Sequence, residues 1–148
     1  MDRTVDLDAL PSALARFGLH DFRPGQREVI ETLLGGRDVL CVMPTGGGKS
    51  LCYQLPSLLA EGITLVVSPL IALMKDQEDQ LSRLGIKAAA LHSGLTLEEQ
   101  RERLALIESR SINLCYIAPE RLRSARFLES LARVGVAILA VDEAHCIS

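Results

Sequence analysis

Tryptophan is absent from the 148 residues, and only two Tyr and three Phe are present. So small an aromatic set removes the repeated stacking platforms used by many single-strand binders. The four cysteines, Cys41, Cys52, Cys115 and Cys146, include no CxxC pair and no His at zinc-finger spacing. Neither a disulfide frame nor a zinc site is expected, and all four read as reduced core residues. No window reaches the ~20 uncharged apolar residues of a membrane span. The acidic start, Met1 to Asp8, is not the basic leader of a secretory signal, so the expectation is a cytoplasmic protein without membrane attachment. Positive charge is not in excess either: charged residues make up 24% and the formal net charge is -3. Any contact with a polyanion must come from local placement.

Apolar residues are plentiful, at 48%, enough to fill the core of one ordinary domain. Short runs rich in Val, Ile and Leu recur at Val39 to Met43, Ile63 to Val67, Ala88 to Leu91, Asn113 to Ala118 and Val136 to Val141. Each reads as a strand buried on both faces. Between them lie segments with helical spacing, one carrying Val29, Ile30, Leu33 and Leu34 closed by Gly35 and Gly36, another Leu73, Met74, Gln77, Leu81 and Leu84 closed by Gly85. Thr96 and Glu99 stand at capping-box spacing before a third helix with Gln100, Leu104 and Ile107 on one face. Alternating strands and helices predict an α/β three-layer domain with a parallel sheet, because parallel neighbours need long, right-handed crossovers. No repeat or linker interrupts residues 1–148. Two helices, near Leu7 to Phe17 and Pro24 to Leu34, form an entry segment over 1–36, and the core follows over 37–148.

The strongest local signal is Met43-Pro44-Thr45-Gly46-Gly47-Gly48-Lys49-Ser50, set between a predicted strand and a predicted helix, Leu51 to Ala60. That is the context of a P-loop. Glycines let backbone N–H groups wrap a phosphate, and the helix N-terminus adds partial positive charge. Lys49 can reach the β and γ phosphates of ATP, and Ser50 can offer a hydroxyl to Mg²⁺, which borrows one or two protein ligands. The strict pattern asks for Gly where Met43 stands, so the match is to a variant; the alternative is a flexible turn with an exposed lysine. At the end of the last strand, Asp142-Glu143-Ala144-His145 puts two carboxylates on the edge where α/β sheets gather ligands. Asp142 suits Mg²⁺, and Glu143 suits the water that attacks the γ-phosphate. The alternative there is an acidic helix cap.

These strings carry a resemblance. Asp142 to His145 resembles motif II of superfamily 2 helicases, and with Cys146-Ile147-Ser148 it resembles the RecQ family in particular. Met43 to Ser50 followed by Leu51-Cys52-Tyr53-Gln54-Leu55-Pro56 is similar to that family's motif I, variant first position included. Phe22-Arg23-Pro24-Gly25-Gln26 resembles motif 0, in which the glutamine reads adenine and the arginine packs on the base; alone, it is a Pro-started helix. The family often carries an aromatic where this chain has Leu19, and neighbouring His20 reads as a surface histidine. Ser68-Pro69 to Gln77, with Lys75, resembles motif Ia, and Ala118-Pro119-Glu120-Arg121-Leu122 resembles motif Ib; in the family both loops touch single-stranded DNA. Without the resemblance, Lys75 is a solvated helix residue and Arg121 a surface charge. His92-Ser93-Gly94 receives no role.

The resemblance therefore implies a RecA-like P-loop NTPase domain, incomplete at the C-terminus, of an ATP-dependent DNA helicase. It implies ATP held by Arg23, Gln26 and Thr45 to Ser50, catalysis through Lys49, Asp142, Glu143 and His145, and Mg²⁺ on Ser50 and Asp142. Single-stranded or partly duplex DNA is expected on Ser68, Pro69, Lys75 and Arg121, and no protein partner is indicated. The family's arginine finger and aromatic-rich coupling loop lie beyond motif II, so these residues alone are expected to bind nucleotide and hydrolyse little. The motif III strand, which in the superfamily separates the motif I and motif II strands, is also beyond Ser148. A gap, or altered pairing, is expected between Val39 to Val42 and Ile138 to Val141. The competing readings are a non-motor P-loop ATPase, which DNA would not stimulate, and an inactive nucleotide-binding fragment. An RNA helicase of the DEAH or DEAD type is disfavoured by the strings at Phe22 to Gln26 and Asp142 to Ser148.

Overall fold

A computed structural model describes residues 7–43 and 48–142. The chain forms two compact units, Met1–Ala60 and Glu61–Ser148. The first is helical. A 3-10 turn at Leu7–Ala9 leads into helix α1 (Leu10–Arg16), followed by α2 (Gln26–Leu34) and α3 (Leu51–Leu59). Leu10, Ala13 and Leu14 lie one helical turn apart on α1 and pack with Ile30 and Leu34 of α2 and Leu51 and Leu55 of α3. Burying such leucines contributes roughly 1.5–3 kcal/mol each. Gly25, at φ +86, turns the chain into α2 in a conformation that side chains resist. Gly35 and Gly36 end that helix where the sequence placed its stop.

The second unit holds the sheet: β1 (Ile63–Val67), α4 (Ile71–Arg83), β2 (Ala88–Leu91), α5 (Leu97–Glu108), β3 (Leu114–Ile117), α6 (Ala125–Val134) and β4 (Val136–Val141). The strand order is β2-β3-β1-β4, and every pair is parallel. The step from β1 to β2 runs one way along the sheet, while β2 to β3 and β3 to β4 run the other. Right-handed crossovers therefore put α4 on one face and α5 with α6 on the opposite face. The packing agrees: Ile63, Leu65, Val67, Leu91, Cys115 and Ile117 meet Ile107 of α5 and Phe127 and Leu131 of α6, with no α4 residue among them. The expected α/β architecture with a parallel sheet is present.

β1 and β3 are buried at every position, as their apolar runs predict. Two other runs behave differently. Val39 to Met43 forms no strand; Leu40 is 91% exposed and Val42 88% exposed. Apolar composition favours a strand only where a neighbour completes the ladder, and none of the described residues does so here. β4 is a strand but is not buried on both faces: Ile138 is covered, while Leu139 and Val141 are half open to solvent. Its only described neighbour is β1, so among the described strands β4 lies at an edge of the sheet. At the opposite edge, the Ala90 N–H of β2 donates to the Glu78 carboxylate of α4 at 3.1 Å.

Where β1 and β4 begin, the backbones crowd. Ile63 N–H donates to the Gly135 carbonyl at 3.0 Å, and a Cβ on Gly62 would sit 2.9 Å from that same oxygen. Gly62 has φ +109, so both space and backbone angle demand glycine.

Candidate functional site

In the first unit, Gly48 precedes Lys49 and Ser50 at the start of α3 and has φ +79, the left-handed geometry of a tight strand-free turn. Ser50 occupies the cap position, and its hydroxyl makes no capping hydrogen bond; its carbonyl accepts from Gln54 at 2.9 Å. Lys49 is half-buried and its carbonyl accepts from Cys52 at 3.0 Å. Thr45, Gly46 and Gly47 lie outside the described residues.

Gln26 reaches this turn. Its side chain is 2% exposed; Oε1 accepts from the Arg23 N–H at 2.8 Å, and Nε2 donates to the Gly48 carbonyl at 3.0 Å. The structure thus brings the motif 0 glutamine to the motif I turn, with both ends of its amide on backbone groups. A Cβ on Gly48 would meet that amide nitrogen. Arg23 itself is exposed. Cys52, in the first turn of α3, is pushed up to about 11 by burial and then by the neighbouring Cys41 thiol, so it stays a protonated thiol at neutral pH. Cys41 is only half-buried and departs from the core position expected of it; Cys146 lies outside the described residues.

In the second unit, the parallel sheet sends the exits of all four strands to one edge. After β1, Ser68 is 2% exposed and its hydroxyl accepts from the Leu70 N–H at 3.3 Å, so it shapes its own turn. Pro69 is half-buried, and Lys75 stands exposed on α4. After β2, His92 Nδ1 accepts from Gly94 N–H at 3.0 Å, and the expected capping box follows: Glu99 N–H to Thr96 Oγ1 and Thr96 N–H to Glu99 Oε1, both 3.1 Å. The Thr96 hydrogen bonds hold the Glu99 carboxyl below its usual range. After β3, a 3-10 turn at Pro119–Arg123 carries Arg121, whose guanidinium donates to Gln100 Oε1. After β4, Asp142 N–H donates to the Val67 carbonyl at 2.9 Å, fixing the carboxylate-bearing residue beside the end of β1. Glu143 and His145 lie outside the described residues.

Among the described residues no three His, Cys, Asp or Glu side chains cluster around a common point. Mg²⁺ does not require such a cluster, since it keeps most of its waters. The Ser50 hydroxyl, free of capping duty, and the Asp142 carboxylate are hard oxygen donors of the kind it takes. No described helix is long and apolar enough to cross a membrane.

Residues 23–148 match the DEAD/DEAH box helicase family. The chain belongs to that family. Within it, the chain is 50% identical over 132 residues to the ATP-dependent DNA helicase RecQ of Haemophilus influenzae, covering 89% of this chain and 21% of that protein. It is also 50% identical over 133 residues to the RecQ of Bacillus subtilis, covering 89% and 22%. The chain therefore spans about a fifth of the length of these relatives. Solved structures agree on the fold. A hypothetical ATP-dependent RNA helicase from Sulfolobus tokodaii superposes with a TM-score of 0.71 at 24% identity, over 95% of this chain and 42% of that one. The Mycobacterium smegmatis helicase Lhr, solved with ssDNA and AMP-PNP, gives 0.71 at 22% identity, over 94% and 20%.

Two contacts in this family member escaped the sequence. Nothing in the spacing of Gln26 and Gly48 announced their bond. Gln100 left one trace, a polar amide standing on the otherwise apolar face of Leu104 and Ile107.

Proposed function

We propose that the full-length protein is a RecQ-like, ATP-dependent DNA helicase and that this chain supplies nucleotide-holding and strand-holding residues to it. The observation that carries the reading is the bond from Gln26 to Gly48 at the mouth of α3, in a chain half identical to proteins named ATP-dependent DNA helicase. A left-handed glycine followed by Lys49, Ser50 and a helix N-terminus directs backbone donors and positive charge at a phosphate. Lys49 adds a point charge for the β and γ phosphates, with Thr45, Gly46 and Gly47 completing the loop. Gln26 and Arg23 are assigned to the adenine. Ser50 and Asp142 would hold Mg²⁺, which when bound neutralises charge on the phosphates.

Hydrolysis adds water oxygen to the γ-phosphorus and breaks its bond to the ADP oxygen. Glu143 accepts the water proton, and His145 is the neighbouring motif II side chain assigned to the same centre. Lys75 and Arg121 are assigned to phosphates of a single strand, with Ser68 and Pro69 shaping the loop beside them. The 3′-to-5′ direction and the role in recombination and repair follow the same resemblance. So does the weak hydrolysis expected of these 148 residues alone.

Steady-state ATP hydrolysis by the full-length protein, with and without single-stranded DNA, tests the reading. The rate should rise with DNA and vanish in Lys49→Ala. A rate indifferent to DNA would make the protein a non-motor ATPase, and persistent hydrolysis in Lys49→Ala would remove the P-loop from the mechanism.

A further inference from the structure

Arg103 is part of α5 and Arg121 reaches it from the turn after β3, but the two are held in different ways. Arg103 lies between two carboxylates, Glu78 at 3.5 Å and Glu99 at 3.9 Å, and its charge is spent on the fold. Arg121 forms no ion pair among the described residues; its described side-chain partner is the neutral amide oxygen of Gln100. A guanidinium has five N–H donors, so one bond to an uncharged acceptor fixes its direction and leaves its charge and most of its donors unspent.

Gln100 is itself tightly set. Its Nε2 donates to the Leu95 carbonyl at 3.0 Å, so both ends of the amide are engaged and the side chain has one orientation. Leu95 belongs to the turn leaving β2, where its N–H donates to the His92 carbonyl at 3.3 Å and His92 Nδ1 accepts from Gly94. The capping box of Thr96 and Glu99 fixes the first turn of α5 immediately before Gln100. Two strand exits on one edge of the sheet, after β2 and after β3, are thereby joined through a single amide.

We propose that Gln100 is a positioning residue that holds Arg121, with its charge intact, for a phosphate of the bound nucleic-acid strand. This rests on the reading of the Ala118 to Leu122 loop as a strand contact. Glutamine suits the task and glutamate does not. A carboxylate at position 100 could accept from the guanidinium, but it would have no donor for the Leu95 carbonyl and would cancel the charge that a phosphate recognises. Holding the side chain before the strand arrives also reduces the ordering cost of binding.

The test is a salt titration of binding between the full-length protein and a labelled single-stranded oligonucleotide, by fluorescence anisotropy. It compares the parent with Gln100→Met, Gln100→Glu, Arg121→Ala and the Gln100→Met/Arg121→Ala pair. Arg121→Ala should weaken binding and lower the slope of log affinity against log salt by about 0.7, the share of one single-strand phosphate. Gln100→Met, similar in shape but without the amide, should weaken binding about three- to tenfold. In the Arg121→Ala background it should change nothing further. Gln100→Glu, which still accepts from Arg121 but loses the donor to the Leu95 carbonyl, should bind as weakly as Arg121→Ala in protein that still melts cooperatively. Parent-like binding by Gln100→Glu overturns the proposal, even if Gln100→Met fails to fold. Equal losses from Gln100→Met in both backgrounds would do the same. An inert Arg121→Ala would instead remove the strand-contact reading of the loop, and the proposal with it.

Discussion

Replacing Gln26 by alanine takes two hydrogen bonds from a side chain that is 2% exposed. Oε1 no longer accepts from the Arg23 N–H, and Nε2 no longer holds the Gly48 carbonyl. At about 1 kcal/mol net for each bond, the nucleotide-free chain should lose about 2 kcal/mol, a factor of roughly 30 in the folded-to-unfolded ratio. Gln26→Glu keeps an acceptor for Arg23 but sets a carboxylate against the Gly48 carbonyl, so it should be at least as damaging. The same amide is assigned to adenine; its bonds to the two backbone groups use one Oε1 lone pair and one Nε2 N–H, leaving one of each for the base. Adenine binding would therefore add bonds to an amide already fixed by the backbone, and Gln26→Ala should lower the preference for ATP over GTP about tenfold. Urea unfolding of the nucleotide-free protein, followed by competition between ATP and GTP, reads both effects. A Gln26→Ala protein that unfolds within about 0.5 kcal/mol of the parent, the range of an inconsequential surface change, refutes the clamp.

Gly62→Ala should cost about 2–3 kcal/mol, since the added Cβ meets the Gly135 carbonyl at 2.9 Å and Ala137 Cβ at 3.3 Å in a backbone conformation closed to alanine. A urea midpoint equal to the parent's would contradict that geometry. Thr64 is fully buried in β1, and its hydroxyl finds no hydrogen-bond partner among the described residues. Thr64→Val should therefore raise unfolding free energy by about 1 kcal/mol, and a loss of stability would mean that the hydroxyl is satisfied.

Elements governed by neighbouring residues were legible in the sequence. The strands Ile63–Val67, Ala88–Leu91 and Val136–Val141, the glycine stops of α2 and α4, and the Thr96 capping box all appear where local rules placed them. Val39 to Met43 has the same composition but forms no strand, because a ladder depends on a partner that local composition does not specify. β4 errs in the same direction: its apolar run reports which side chains favour burial, not what covers Leu139 and Val141. The site divides along similar lines. The order of Gly48, Lys49 and Ser50 before a helix was readable as chemistry. The bonds from Gln26 to Gly48 and from Arg121 to Gln100 join positions 22 and 21 residues apart and arise only once the helices and turns are placed.

The Glu78 carboxylate on Ala90 gives the sheet a direction of growth. A strand that approached β2 from outside would have to displace a charged acceptor already seated on the backbone donor it needs, and no such acceptor is described on the outer backbone of β4. For protein engineering this makes the two flanks unequal. A grafted strand, a split-protein complement or a designed binder that pairs by backbone with β2 would first need Glu78 removed.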